Sequence, residues 1–206
     1  MAVDYQLSFP QGFNRPDMYT WKRDFLDKYQ IKGLLKEIEK VELAEKSGTI
    51  EQEEGRLVKK FDPTIRSSRV KWLEKLPQFK LLYERIAEQV LIANQENWHF
   101  DLHSIVENIQ YTEYHAKDKG HYNWHVDLGP GFASLRKISV TINLSDPKDY
   151  EGGSLEFDIG GKTKGFGIKE QGAIILFPSY MLHRVKPVTI GVRKSLVLWV
   201  GGKPFR

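Results

Sequence analysis

The chain has no cysteine among its 206 residues. Disulfides, thiolate metal sites and cysteine nucleophiles are therefore excluded, and a reducing compartment suits the chain. Long apolar runs are also missing: none approaches the roughly 20 residues that a membrane-spanning helix needs. The opening MAVDYQLSFPQGF has no basic segment leading into an apolar one, so no signal peptide is read and a cytoplasmic location is expected. Charge of one sign is not in large excess, with 31 basic against 27 acidic residues and a formal net charge of +4. The basic residues are scattered among acids and no aromatic-basic platform is evident, which disfavours a nucleic-acid partner. There is no internal repeat, no low-complexity tract and no convincing linker. One domain over residues 1–206 is expected, and its 40% hydrophobic content suits a buried core.

The first half, to residue 99, reads as mainly helical support. Asn14-Arg15-Pro16-Asp17 suits a helix start, and Tyr19, Phe25, Leu26 and Tyr29 then fall on one helical stripe. Lys32 to Lys46 suits a helix or a strand, and the polar Glu51 to Lys60 reads as a loop. Pro77 opens a second helix to about Asn94, with Leu81, Leu82, Ile86, Val90 and Ile92 as its buried side.

From about Phe100 the texture changes. Ser104–Tyr114, Lys137–Ser145, Ser154–Phe157, Ala173–Phe177, Met181–Val185 and Lys194–Gly201 are rich in β-branched and aromatic residues and read as strands. Glycine- and proline-containing clusters separate them, which predicts a sandwich or barrel over residues 100–206. Within Lys137–Ser145, Ile138, Val140, Ile142 and Leu144 share one face and Ser139, Thr141 and Asn143 the other. Alternation alone leaves open which face meets the core and which a ligand.

The chemistry concentrates in His125-x-Asp127, His183 and Arg193. Residues two apart on a strand point to one side, so His125 and Asp127 suit two neighbouring ligands of one ion. A histidine from a distant strand completes the two-imidazole, one-carboxylate set of a non-haem iron(II) site, which leaves positions open for oxygen and substrate. Alone, each histidine reads as a surface or hydrogen-bonded core residue, and that reading is kept for His99, His103, His115 and His121. Arg193 and Ser195 share a face with Val197 and Trp199. If that face is inward, a guanidinium is buried among apolar side chains and needs a carboxylate partner. A soluble dicarboxylate co-substrate meets the need; an internal ion pair is the alternative.

YTEYHAKDKGHYNWHVD (111–127), LSDPKDYEGGSLEF, FPSYMLHRV and GVRKSLVLWV together resemble the iron(II)- and 2-oxoglutarate-dependent oxygenases, most closely the prolyl 4-hydroxylase-like group with its PKHD-type hydroxylases. The upstream IRSSRVKWL and the Asn94/Trp98/Phe100 cluster carry the resemblance as well. It implies an α+β, mainly β fold: a double-stranded β-helix (jelly-roll) barrel with supporting N-terminal helices. It also implies iron on His125, Asp127 and His183, and 2-oxoglutarate on Arg193, with Tyr114 as a further contact; strand parity adds the Ser195 hydroxyl beside Arg193, and Thr141 or Asn143 as candidate co-substrate contacts if the polar face of their strand meets the ligand. Tyr122, Trp124 and Trp199 are the candidate substrate contacts, with plain aromatic packing as the alternative.

The implied reaction couples decarboxylation of 2-oxoglutarate to succinate and carbon dioxide with hydroxylation of an unactivated C–H bond by O2. Asp127 stands where related halogenases lack a carboxylate. Trp199 stands where the nucleic-acid demethylases carry a second arginine. The expected substrate is a prolyl residue in a peptide or protein. A free amino acid or small metabolite is one alternative, and a non-catalytic cupin-like metal-binding module is another. Loops around Glu51–Pro63 and Gly129–Lys137 are expected to select the substrate.

Overall fold

Alternating burial along the strands sorts the side chains into two cores, one on each face of a large antiparallel sheet. The computed structural model describes residues 17–41, 49–53, 56–60, 62–165 and 168–204. In chain order the elements are β1 (Thr20–Lys22), α1 (Lys28–Glu39), β2 (Thr49–Glu53), β3 (Arg56–Lys60), β4 (Arg66–Ser67), β5 (Arg69–Leu73) and α2 (Lys80–Ala93). Then follow β6 (Leu102–Ile105), β7 (Ile109–His115), β8 (His121–His125), β9 (Arg136–Asn143), β10 (Tyr150–Gly152), β11 (Leu155–Ile159) and β12 (Lys162–Gly165). The chain closes with β13 (Ile174–Pro178), β14 (His183–Val185) and β15 (Val188–Gly202).

The large sheet runs β1-β13-β9-β15-β7-β5, with β6 and β10 also pairing β15. The small sheet runs β12-β11-β14-β8-β4. Every strand pair is antiparallel, and the fold is the jelly-roll, mainly β with few helices.

The apolar face of β9, Ile138, Val140 and Ile142, with Leu144 just past its end, packs in one core with the helices. Leu196, Leu198 and Val200 of β15, Ile109 and Tyr111 of β7, and Ile31, Ile38, Ile86 and Val90 of the helices complete this first core. The second core contains Tyr114, Leu155, Phe157, Ile175, Phe177 and Val185, drawn from strands of both sheets. The polar face of β9 is buried too, with Ser139, Thr141 and Asn143 each under 9% exposed. A strand covered on both faces loses the usual correspondence between polar and solvated, which is why alternation could not orient it.

Several expectations for the N-terminal part are corrected. Tyr19 is not helical, and Thr20–Lys22 directly after it pairs with β13. The helix begins at Lys28, where Asp27 accepts from the backbone N–H groups of Tyr29 and Gln30 and Gln30 returns a bond to the Asp27 N–H. That capping box outcompetes the apparent stripe, and Tyr29 is left 74% exposed. Asn14 to Pro16 lie outside the described residues.

Lys32–Lys46 resolves as helix up to Glu39, and residues 42–48 lie outside the description. Glu51–Lys60 is not a loop: β2 and β3 pair as a two-stranded ribbon from Thr49↔Lys60 to Glu53↔Arg56. Its polar composition hid a ladder held by backbone groups. On α2 the buried side is Leu82, Tyr83, Ile86, Val90 and Ala93, while Leu81 and Ile92 are exposed. Inward positions recur at 82, 86, 90 and 93, and a hydrophobic residue one step off that stripe faces water. The first 99 residues thus supply strands as well as helices, with β1 and β5 in the large sheet and β4 in the small one.

Candidate metal centre and adjoining pocket

The site lies where β8 and β14 face β9 and β15 across the barrel. His125 and His183 are register partners on β8 and β14, so antiparallel pairing sets the two imidazoles side by side. Asp127 follows the end of β8, and its backbone N–H donates to the Ser179 carbonyl at 2.9 Å. One ligand atom from each of the three residues lies within 4.8 Å of the other two. His125 Nε2 is 3.6 Å from Asp127 Oδ1, and His183 Nε2 is 3.7 Å from Asp127 Oδ2.

The tautomers follow from the backbone. His125 Nδ1 lies 2.8 Å from the Asn123 carbonyl and His183 Nδ1 2.8 Å from the Met181 carbonyl. A carbonyl oxygen only accepts, so both Nδ1 atoms carry the proton and both Nε2 lone pairs face the carboxylate. Ser139 donates to Asp127 Oδ2 at 2.6 Å and shares a 2.9 Å contact with Ser179 Oγ. Burial, with the neighbouring His183, pushes His125 down to about 3. Burial would raise Asp127, but His183, His125 and the Ser139 hydrogen bond hold it below the usual carboxylate range. Two neutral imidazoles and an ionised carboxylate, oriented from behind, form a donor set that fits a divalent ion.

Aromatic rings wall this centre. Tyr122 stacks on His125 with centroids 3.4 Å apart, and the edge of Phe177 meets His183 at 4.8 Å. Strict alternation would send Tyr122 and His125 to opposite faces. A bulge resolves this: His183 pairs with His125 but Val185 pairs with Tyr122, three residues earlier. Trp124 consequently turns out of the pocket, with the Arg184 guanidinium 4.5 Å from its ring.

The pocket continues from the three ligands to Arg193, Ser195 and Trp199, which share one face of β15. Arg193 is 6% exposed and pairs in register with Tyr114, whose ring centroid is 5.6 Å from its Cζ. Among the described residues no carboxylate lies within ion-pairing distance of this guanidinium, so the internal ion pair is not formed. Ser195 Oγ and Trp199 Nε1 are buried and have no hydrogen-bond partner. Gly153, at φ +60°, makes room for the arginine, since a Cβ there would stand 2.8 Å from Arg193 Cδ.

Thr141 also lines the pocket. Asn143 lies in a smaller adjoining cavity beyond Arg193, and its amide donates to the carbonyls of Ser145 and Lys169. Ser139, Ser179, Gln110 and Arg66 were not picked out from the sequence as site residues. Ser139 had a signal, its place on the polar face of β9, whereas Arg66 had none beyond the resemblance of its segment.

The sequence pattern of the 2OG-Fe(II) oxygenase superfamily matches residues 109–201, the stretch that carries all three ligands and Arg193. The chain is similar to a PKHD-type hydroxylase of Synechococcus sp. (strain JA-2-3B'a(2-13)), 33% identical over 138 residues, covering 64% of this chain and 60% of the relative. A PKHD-type hydroxylase of Hyphomonas neptunium is 41% identical over 83 residues, covering 38% and 37%. These matches thus span from about a third to three-fifths of the curated relatives' length. In architecture the chain is similar to a Pseudomonas putida prolyl-4-hydroxylase, with TM-score 0.63 and 16% identity over 90% of this chain and 93% of that one. It is also similar to a Trichoplax adhaerens prolyl hydroxylase solved with a hypoxia inducible factor oxygen degradation domain peptide fragment, with TM-score 0.68 and 17% identity over 90% and 84%.

Proposed function

We propose that the protein is an iron(II)- and 2-oxoglutarate-dependent dioxygenase that hydroxylates an unactivated C–H bond, most readily in a prolyl residue of a peptide or protein. The observation that carries the reading is the pairing of two incomplete sites in one pocket. Among the described residues, His125, Asp127 and His183 present two imidazole nitrogens and a carboxylate with no fourth protein ligand, and Arg193 presents a buried guanidinium with no carboxylate. A 2-keto dicarboxylate answers both, its far carboxylate meeting Arg193 and Ser195 and its keto-acid end reaching toward the three ligands.

Iron(II) held by His125, Asp127 and His183 would supply the oxygen activation that no protein side chain can. The overall change balances as R–H, O2 and 2-oxoglutarate giving R–OH, succinate and CO2. The protein's own contribution is positional. Backbone carbonyls fix the imidazoles, Ser139 holds the carboxylate, Phe177 and Tyr122 exclude water, and Arg193 sets the co-substrate's reach.

A bare metal-binding barrel would not need an unpaired buried arginine, so the cupin-like alternative is disfavoured. The hydroxylase reading draws support from the PKHD-type relatives, and the prolyl assignment from the prolyl hydroxylases of similar architecture. The test is succinate release from 2-oxoglutarate in air with iron(II), expected to accelerate with a proline-containing peptide. Acceleration by a free amino acid or small metabolite, with peptides inert, would reassign the substrate.

A further inference from the structure

Arg66 is a second buried guanidinium in the same pocket, 7% exposed, on the edge strand β4 of the small sheet. Two contacts fix its plane. Its Nε donates to Ser68 Oγ at 2.9 Å, and its Cζ lies 4.6 Å from the centroid of the Tyr122 ring that stacks on His125. Its terminal Nη groups meet no acceptor and no carboxylate among the described residues.

The contrast with nearby arginines is informative. Arg136 is clamped by Glu107 at 2.6 and 2.7 Å, and Arg184 is held by Glu156 at 2.7 Å. Among the described residues, carboxylates thus hold Arg136 and Arg184, and none holds Arg66 or Arg193. Leaving a buried cation without an opposite charge is costly, and a carboxylate ligand entering the pocket would relieve that cost.

Arg193 and Arg66 stand on different sheets, β15 and β4. The co-substrate's far carboxylate is taken by Arg193 in the reading above and its near end by the three metal ligands. Arg66 is left for the molecule to be oxidised. We propose that Arg66 anchors a carboxylate of that molecule, so that the substrate is an acid whose carboxylate sits close to the carbon that receives oxygen. This rests on the oxygenase reading and narrows it. The carboxylate has two sources, an acidic side chain next to the reacting residue of a peptide or the α-carboxylate of a free amino acid.

The experiment compares acids with their amides, using the full chain with iron(II) and 2-oxoglutarate in air. One pair is a blocked proline peptide with glutamate beside the proline, against the same peptide with glutamine. The other is free L-proline against L-prolinamide. Succinate release is measured with and without each compound. In at least one pair the acid is expected to exceed its amide by about tenfold or more in kcat/KM, the scale of a lost charge-assisted pair, and that pair identifies the source. Arg66→Gln is expected to bring the ratio within about twofold by raising KM for the acid, and Arg66→Lys to restore part of it.

The inference is overturned if neither acid exceeds its amide in wild-type protein, a comparison that needs no variant to fold. It is also overturned if Arg66→Gln raises the 2-oxoglutarate requirement while the acid-to-amide ratio stays as in wild type. Absence of succinate under every condition removes the oxygenase reading itself, whereas succinate without acid preference removes only this inference.

Discussion

Ser139 donates a 2.6 Å hydrogen bond to Oδ2 of Asp127, so a hydroxyl on the large sheet fixes the carboxylate that stands between two imidazoles of the small one. The ligand set is therefore held from both sheets. Removing the donor in Ser139→Ala should leave the fold intact and let the carboxylate rotate. Partners of this kind contribute roughly 10- to 100-fold to metal affinity. Anaerobic competition against a chelator of known affinity should show iron(II) bound that much more weakly, and unchanged affinity would remove Ser139 from the account.

The metal-free protein should lose stability as pH falls. His125 is pushed down to about 3 from 6.5, so between those values the unfolded chain takes up a proton that the folded chain does not. Asp127, also held low, acts in the same direction at more acid pH. The stability from His125 is complete above pH 6.5 and lost progressively below it, by up to about 1.4 kcal/mol per pH unit for one proton. Urea unfolding at pH 8, 6 and 5 should show this slope in wild type and a shallower one in His125→Asn. Equal slopes would contradict the assignment.

Arg193→Lys keeps the charge and loses the planar fork. The apparent KM for 2-oxoglutarate should rise at least about tenfold, with a smaller change in kcat at saturation. Steady-state succinate release against 2-oxoglutarate concentration measures both. A wild-type KM would mean that the clamp lies elsewhere.

Phe157 is fully buried, stacked 5.9 Å from Tyr19, edge-on to Phe177 at 4.8 Å and 5.9 Å from His183. Phe157→Ala should cost about 3–5 kcal/mol by urea titration. Tyr29→Ala, at a position 74% exposed, should stay within about 0.5 kcal/mol. Similar losses in the two variants would contradict the core assignment.

What the sequence made legible was set by periodicity. Arg193, Ser195, Val197 and Trp199 line one pocket because β15 is regular through them, and His125 meets His183 because the two are direct register partners on antiparallel strands. Where regularity breaks, the reading failed. The bulge in β8 brings Tyr122 inward and sends Trp124 out, and no composition signal announces an extra residue in one strand. The start of α1 was misplaced because an aromatic stripe imitated a helix, while the deciding feature was a local cap at Asp27. The hairpin β2–β3 was missed because its ladder is made of backbone groups. Arg66 was silent because a guanidinium two residues from a small hydroxyl looks like any surface segment until the fold buries it.

The central claim is that three ligands and one guanidinium serve a single ternary site for iron(II) and 2-oxoglutarate. The most direct measurement is an anaerobic optical titration of the full chain with both compounds, separately and together. The account predicts a weak visible charge-transfer band only when both are present, absent in Asp127→Ala. A band that forms without 2-oxoglutarate, or that persists undiminished in Asp127→Ala, would contradict it.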